Sequence, residues 1–309
     1  MVVGSANMDM VIGVQRLPLE GETITGTDLI LFPGGKGANQ ACAAGRLGAS
    51  VHMIAQVGRD AFGAALMDSL AAADVAVSGV GVSSRATGCA SIYVMPGGNN
   101  SIVISPGANA TLDPETALAR LNVDHGDIVL CQLEIPLETV QAVLEHAKAR
   151  GAVTILDPAP ARMLPLNLLR SVDFLTPNQT EASVLLGDPN LEIDNVEKAR
   201  AAAARLMELG PRGIIMKLGE MGALLWDGRA EVESPAFPVK AADTTGAGDA
   251  FNGAFAVALA AGKPVADALR FANAAAAISV TRSGAQPSMP SRLEVDEFLS
   301  ALKETYVCR

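Results

Sequence analysis

The residue types best suited to chemistry fall together in Asp243-Thr244-Thr245-Gly246-Ala247-Gly248-Asp249-Ala250-Phe251. Three small residues stand just before a long alanine-rich helix expected over 250–261. Small residues let a backbone approach a ligand closely, and a helix start offers unpaired N–H groups to an anion. Asp249 falls in the first turn, where its carboxylate should stay ionised and able to accept a proton from a hydroxyl. Taken alone, the segment fits equally a tight loop in which Asp249 is only a favourable first-turn charge.

Three further constellations stand elsewhere in the chain. Pro33-Gly34-Gly35-Lys36-Gly37-Ala38-Asn39-Gln40 leads into a helix expected to end near Leu47. It is neither a GxxxxGK[ST] loop nor a GxGxxG turn. It reads as an ordinary loop-to-helix entry or, because Lys36 and Asn39 are costly choices for a mere turn, as a site for several hydroxyls. Asn7 and Asp9 follow the first strand, and alternation puts both on one side of an extended segment. Glu134 lies at the C-terminal end of an apolar strand, where open α/β sheets place their ligands. Each of these residues also suits a turn or a cap.

The elements that must position these groups change character along the chain. The first third reads as short β-like stretches with turns: residues 2–3, 10–14, 23–32, 88–95 and 101–105, with a hairpin turn at 96–100. From about Gly126, apolar strands alternate with helices. Strands are expected at 128–133, 153–156, 174–176 and 213–218, and helices at 137–150, 179–186, 196–209, 250–261 and 265–280. Asp227-Gly228 marks a hairpin. Continuous apolar strands separated by helices imply a mostly parallel sheet covered on both faces.

Composition bounds the functional classes. The 309 residues suffice for one large α/β domain, and 23 Lys and Arg against 33 Asp and Glu give a net charge of −10. That balance lacks the basic footprint of a nucleic-acid binder. Any polyanionic ligand must therefore be held by backbone N–H groups, helix starts and a divalent cation. The apolar runs stop short of the roughly 18–20 residues needed to cross a membrane, and no secretory leader is expected. Cys42, Cys89, Cys131 and Cys308 have no CxxC or metal-ligand spacing and read as free thiols of a cytoplasmic protein.

Several ordered motifs, taken together, resemble the phosphofructokinase-B-type, ribokinase-like sugar kinase family over essentially the whole chain. They are Gly-Ser-Ala-Asn-Met-Asp at 4–9, Gly-Gly-Lys-Gly-Ala-Asn-Gln-Ala at 34–41 and Gln-Leu-Glu at 132–134. Pro-Ala-Pro-Ala-Arg at 158–162, Thr-Pro-Asn-Gln-Thr-Glu at 176–181, Asp-Thr-Thr-Gly-Ala-Gly-Asp at 243–249 and Thr-Arg-Ser-Gly-Ala-Gln-Pro-Ser at 281–288 complete the set. The resemblance implies an α/β fold, a doubly wound, mostly parallel sheet flanked by helices, with a small β-sheet lid from residues 10–32 and 88–105 on one domain, 1–309. It implies transfer of a phosphoryl group from ATP to the primary hydroxyl of D-ribose, with deoxyribose, another pentose or hexose, or a nucleoside as alternative acceptors. A non-catalytic sugar-binding regulator is the remote alternative.

By the same resemblance, Asn7, Met8, Asp9, Gly35, Lys36, Gly37, Ala38, Asn39, Glu134 and Asp249 would hold the sugar. Asp249 would be the general base, and the backbone of Gly246, Ala247 and Gly248 the anion hole. Asn178, Lys217, Leu218, Gly219, Glu220, Met221, Gly222, Gly248, Asp249 and Asn273 would surround ATP. Glu181, with Asn178, would act on Mg²⁺ through water. Asp243, Thr245, Ser279, Arg282, Gly284 and Ser288 would surround K⁺, largely through backbone carbonyls. A homodimer formed through the lid sheet is the implied assembly.

Overall fold

The computed structural model describes residues 1–97 and 99–307, with side chains described as far as residue 301. Cys308 and the Gly98 position of the expected hairpin turn lie outside the described residues. Among the described residues thirteen strands are present in chain order: β1 Val2–Val3, β2 Asn7–Gly13, β3 Ile30–Gly34, β4 Val51–Gly58, β5 Val75–Ser83, β6 Gly88–Val94 and β7 Asn100–Ser105, followed by β8 Ile128–Cys131, β9 Val153–Leu156, β10 Phe174–Leu175, β11 Gly213–Lys217, β12 Ala223–Trp226 and β13 Glu231–Ser234. Nine form one sheet in the order β13-β12-β11-β10-β9-β8-β1-β4-β5, and four form a second in the order β3-β2-β6-β7. The large sheet is parallel except for its β11-β12-β13 edge.

Alternation along the central strands explains the layering. Val2, Leu130, Ile155, Ile215 and Leu225 enter one core, with the helices Lys36–Arg46, Ala61–Ala72, Ala247–Ala260 and Val265–Ser279. Their neighbours Val3, Cys131, Leu156, Ile214 and Leu224 enter the other, with Leu137–Ala149, Gln179–Leu185 and Val196–Met207. Successive side chains point to opposite faces, so a sheet covered on both sides needs apolar residues at consecutive positions. This doubly wound arrangement is the expected one.

Four local expectations need correction. Strand–helix alternation begins well before Gly126, because β4, the helix Ala61–Ala72 and β5 form a unit within the first third. Glycines obscured it: they read as turn residues, yet a Cβ on Gly79 would stand 2.5 Å from Met53 O, so that glycine serves close strand packing. The extended stretch expected at 23–32 is a strand only from Ile30, and it continues to Gly34. Asn7 and Asp9 do not precede the small sheet but open it, since β2 starts at Asn7 and pairs with β3 and β6.

The long helix after the 243–249 segment starts earlier than expected. It runs Ala247–Ala260 with Gly246 as its N-cap in the left-handed region at φ 76°, and no side chain caps its start. Among the described residues, no helix is long and apolar enough to cross a membrane.

Candidate active site

The expected site residues come from the C-terminal edge of the large sheet, where parallel strands open into loops. Just beyond β1 stand Ser5 and Asn7, beyond β8 Gln132 and Glu134, beyond β9 Asp157, beyond β10 Asn178; Lys217 ends β11. Two helices bring the remaining groups across. Gly253 lets them close together, since a Cβ there would lie 2.8 Å from Gln40 O and 2.7 Å from Ala43 Cβ. The helix Lys36–Arg46 can thus pass side chains directly to the start of Ala247–Ala260.

Asp249 is the meeting point. Its carboxylate is buried, with Oδ2 accepting from Asn39 Nδ2 at 2.9 Å and Oδ1 from Gln40 Nε2 at 3.0 Å. Burial pushes its pKa above the ordinary carboxylate value; the Lys36 charge and the two amide donors oppose the rise, while Asp157 adds to it. First-turn position alone therefore does not set its ionisation, as the sequence had suggested. A buried carboxylate held by two amide donors is both more basic and fixed in place, the condition a proton acceptor near neutral pH requires.

Gln40, the last residue of the 33–40 segment, extends this contact. Its Nε2 also donates to Asp157 Oδ2 at 2.9 Å, and its Oε1 accepts from Gln132 Nε2 at 2.7 Å. Asp157 in turn pairs through Oδ1 with Lys217 Nζ at 2.8 Å, and that ammonium lies 3.9 Å from Glu181 Oε2. One connected polar network therefore joins the expected base to the expected nucleotide side. Burial pulls the Lys217 ammonium down, but Asp157 and Glu181 outweigh it and the net shift is upward. The same balance holds for Lys36, raised by Asp249, Asp157, Glu134 and Glu181 against its own burial.

The residues expected to bind hydroxyls gather around Glu134. Its Oε2 accepts from Ser5 Oγ, from Lys36 N at 3.0 Å and from Asn7 Nδ2 at 3.4 Å. Gly35 makes the bend possible at φ 86°, where a Cβ would stand 2.6 Å from Asn7 N. Asp9, further along β2, has its carboxyl raised to about 7 by burial and by Glu134 and Asp249, against the pull of Lys36. A cavity of about 370 Å³ opens here, lined among others by Asn7, Glu134, Asn109 and Ile104 of β7. Met8, Gly37 and Ala38 are buried. Gly37 N donates to Ser5 Oγ and Ala38 N to Ser5 O, so both amides serve the helix start.

The expected nucleotide residues lie on adjoining loops. Gly219–Met221 forms a single 3-10 turn after Leu218, and Gly222 packs against Ser234 O, where a Cβ would be 2.2 Å away. Asn273 Nδ2 donates to Ser234 O at 2.7 Å and to Ser234 Oγ at 2.9 Å, which ties the Val265–Ser279 helix to the same point. A Cβ on Gly248 would lie 3.3 Å from Lys217 Nζ, so the Lys217 ammonium stands beside the uncapped helix start. Asn178 and Glu181 form a reciprocal capping box, at 2.8 Å and 2.7 Å, on the helix Gln179–Leu185. That local structural role was not anticipated for the pair.

The 243–249 loop is fastened to the C-terminal loop. Asp243 Oδ2 accepts from Gly284 N at 2.8 Å, and Oδ1 accepts from Thr245 N at 2.9 Å and from Thr245 Oγ1 at 2.6 Å. Ser288 and Ser279, both buried, donate to Ala285 O and Ala276 O within their own turns. Arg282 turns away to Glu294. Among the described residues no group of three or more His, Cys, Asp or Glu side chains is arranged to hold a metal ion by itself.

The chain is similar to known proteins over nearly its whole length. Residues 1–292 match the pfkB family carbohydrate kinase profile. The chain is 44% identical over 301 residues to a ribokinase of Bacillus subtilis (strain 168), covering 97% of this chain and 98% of that one. It is 39% identical over 302 residues to a deoxyribokinase of Salmonella typhi, covering 97% and 98%. The solved structure of Arabidopsis thaliana ribokinase complexed with ribose and ATP superposes with a TM-score of 0.88 at 37% identity, over 96% and 97% of the two chains. With its two-faced parallel sheet, small second sheet and the groups gathered at the strand ends, the chain belongs to the pfkB family of carbohydrate kinases.

Proposed function

We propose that the protein phosphorylates the primary hydroxyl of D-ribose with ATP, giving D-ribose 5-phosphate and ADP. The observation that carries this reading is Asp249: a buried carboxylate, gripped by Asn39 and Gln40, at the uncapped start of a long helix and within the electrostatic reach of Lys36. The ribokinase relatives supply the sugar. Asn7, Asp9, Lys36, Asn39 and Glu134 hold its hydroxyls, with the backbone of Gly35 closing one side.

The reaction is an in-line displacement. The sugar oxygen forms a bond to the γ-phosphorus, the bond from that phosphorus to the β–γ bridging oxygen breaks, and Asp249 takes the hydroxyl proton. A general base supplies about 10²–10⁴ in rate, or about 3–5 kcal/mol, whereas enzymes lower barriers by about 8–23 kcal/mol. The larger share therefore falls to positioning and to charge stabilisation on the transferring group. The amides of Gly246 and Gly248, that of Ala247 once it leaves Thr244 O, to which it donates at 3.2 Å, and the Lys217 ammonium meet that charge. Asn178, the 217–222 turn and Asn273 hold the nucleotide.

Magnesium fits as a partner of the nucleotide rather than as a resident of a protein cage. Glu181 and Asn178 would reach it through water, and it would supply neutralisation of phosphate charge. Potassium would sit at the junction of the 243–249 and 279–288 loops, which the bond from Gly284 N to the Asp243 carboxylate joins; Asp243, Thr245, Ser279, Arg282, Gly284 and Ser288 would hold it, largely through backbone carbonyls. It would supply a fixed positive charge beside the anion hole.

The small sheet acts as a lid that excludes water from the site. It also carries exposed apolar side chains on both edge strands, among them Ile30, Leu31, Ile102 and Val103, which suits a homodimer formed through it. The protein acts in the cytoplasm, a setting that agrees with its three described free cysteines, Cys42, Cys89 and Cys131.

ADP release measured with ribose, deoxyribose, arabinose, fructose and adenosine, each with and without potassium, tests the proposal. Ribose should give the highest kcat/KM, and potassium should raise it. A strong preference for adenosine would overturn the sugar assignment.

A further inference from the structure

Asn109 lies in the 3-10 turn Gly107–Thr111, just after β7, at a position whose type and spacing carry no recognisable signal. It is only 1% exposed, and its side-chain hydrogen bonds all go to one dipeptide. Oδ1 accepts from Ala6 N at 2.9 Å, while Nδ2 donates to Ala6 O at 3.2 Å and to Asn7 Oδ1 at 2.7 Å. The first two bonds satisfy the Ala6 backbone as a neighbouring strand would, in the gap where the chain leaves β1 and enters β2. An amide side chain thus replaces a sheet partner at the crossing between the two sheets.

The third bond fixes the Asn7 amide. A primary amide has one acceptor oxygen and one donor nitrogen, so engaging the oxygen decides where the nitrogen points. With Asn7 Oδ1 turned to Asn109, Asn7 Nδ2 faces Glu134 Oε2 at 3.4 Å. The reverse orientation would set the Asn7 oxygen against the Glu134 carboxylate, two acceptors without a proton between them. Space for the contact comes from β6: a Cβ on Gly88 would stand 2.3 Å from Asn109 Nδ2 and 2.4 Å from Asn7 Oδ1.

We infer that Asn109 is a positioning residue for the sugar site, holding Asn7 so that it presents a donor beside the Glu134 acceptor and thereby selects a free hydroxyl. This rests on the sugar-kinase reading above. A hydroxyl satisfies both groups at once, accepting from Asn7 Nδ2 and donating to Glu134. A sugar carbon lacking oxygen satisfies neither, and an ether or carbonyl oxygen cannot donate. Both Asn7 and Asn109 line the same cavity, so the orientation is set where the ligand enters.

The test uses the full-length protein with Asn109→Asp, Asn109→Ala, Asn7→Ala and the Asn7→Ala/Asn109→Ala pair. Asn109→Asp keeps an acceptor for Ala6 N but replaces the donor facing Asn7. Leaving a polar partner mispaired should raise the ribose KM about ten- to a hundredfold, with the ATP KM changed less than about twofold. If that variant does not fold, Asn109→Ala, which adds no charge, decides by the same split. Because Asn109 acts through Asn7, Asn109→Ala should add less than about twofold to the ribose KM when Asn7 is already alanine. Additive effects, or equal changes in the ribose and ATP KM values, would show a merely structural asparagine and overturn the inference alone. An unchanged ribose KM in Asn7→Ala would overturn the inference together with the assignment of Asn7 to the sugar site.

Discussion

Replacing Lys217 by methionine should destabilise the ligand-free protein by about 3–5 kcal/mol, the usual cost of removing one partner of a buried ion pair. The structure supports the upper part of that range. Lys217 Nζ stands 2.8 Å from Asp157 Oδ1, with the side chains 13% and 2% exposed. At an effective dielectric constant near 20, two unit charges at that separation attract by about 6 kcal/mol, part of which offsets the cost of burying them. Without the ammonium, Asp157 keeps Gln40 Nε2 as its side-chain hydrogen-bond donor among the described residues, and Glu181 loses its nearby cation.

At about 2 °C per kcal/mol for a chain of this size, the thermal midpoint should fall by about 6–10 °C. The loss should shrink as the pH is lowered toward the carboxylate range. Glu181, already raised by burial, loses the Lys217 charge that opposes the rise, so the folded state gains stability when Glu181 takes up its proton. Adding Asp157→Leu to Lys217→Met should recover most of the stability, since an apolar replacement of a whole buried pair is close to neutral or better. Differential scanning calorimetry of the two variants decides the matter. A single variant within about 1 kcal/mol of the parent, or a double variant no more stable than the single, would refute the claim that this pair holds the network together.

The ligand-free protein should also lose stability as pH rises from about 4 to about 7, and Asp9→Asn should flatten that slope. With its carboxyl raised from 3.8 to about 7, Asp9 holds a proton in the folded state over a range where the unfolded chain has released it. The difference corresponds to at most about 4 kcal/mol; urea midpoints across the range would show it, and an unaltered slope in the variant would count against it. Gly35→Ala should cost at least about 1–3 kcal/mol and weaken sugar binding. Its φ of 86° and a Cβ placed 2.6 Å from Asn7 N leave no room for the new methyl group. Chemical denaturation and the sugar KM measure both effects, and a variant as stable as the parent would contradict the geometry.

What could be read from the sequence followed physical range. The strands β8, β9 and β11 announce themselves because neighbouring side chains in their interiors enter opposite cores, so apolar residues run consecutively. The 243–249 and 34–41 segments announce themselves because small residues and a charged one sit together at a helix start. The unit from β4 to β5 was hidden because glycines that signal turns here permit strands to approach closely. Gln40 and Asn109 were hidden for another reason. Gln40 meets Asp249 across 209 residues and Asp157 across 117, and Asn109 meets Asn7 across 102. No local period encodes such contacts. They arise only when the sheet places strand ends together, and they decide how the visible residues are held.

Turnover of Asp249→Asn with ribose and ATP, alongside nucleotide binding by calorimetry, bears most directly on the role of the buried carboxylate. The substitution preserves size and polarity but removes the proton acceptor that Asn39 and Gln40 hold in place. Sugar phosphorylation should fall by about 10²–10⁴ or more while ATP still binds. Turnover close to that of the parent protein would contradict the assignment of Asp249 as the base.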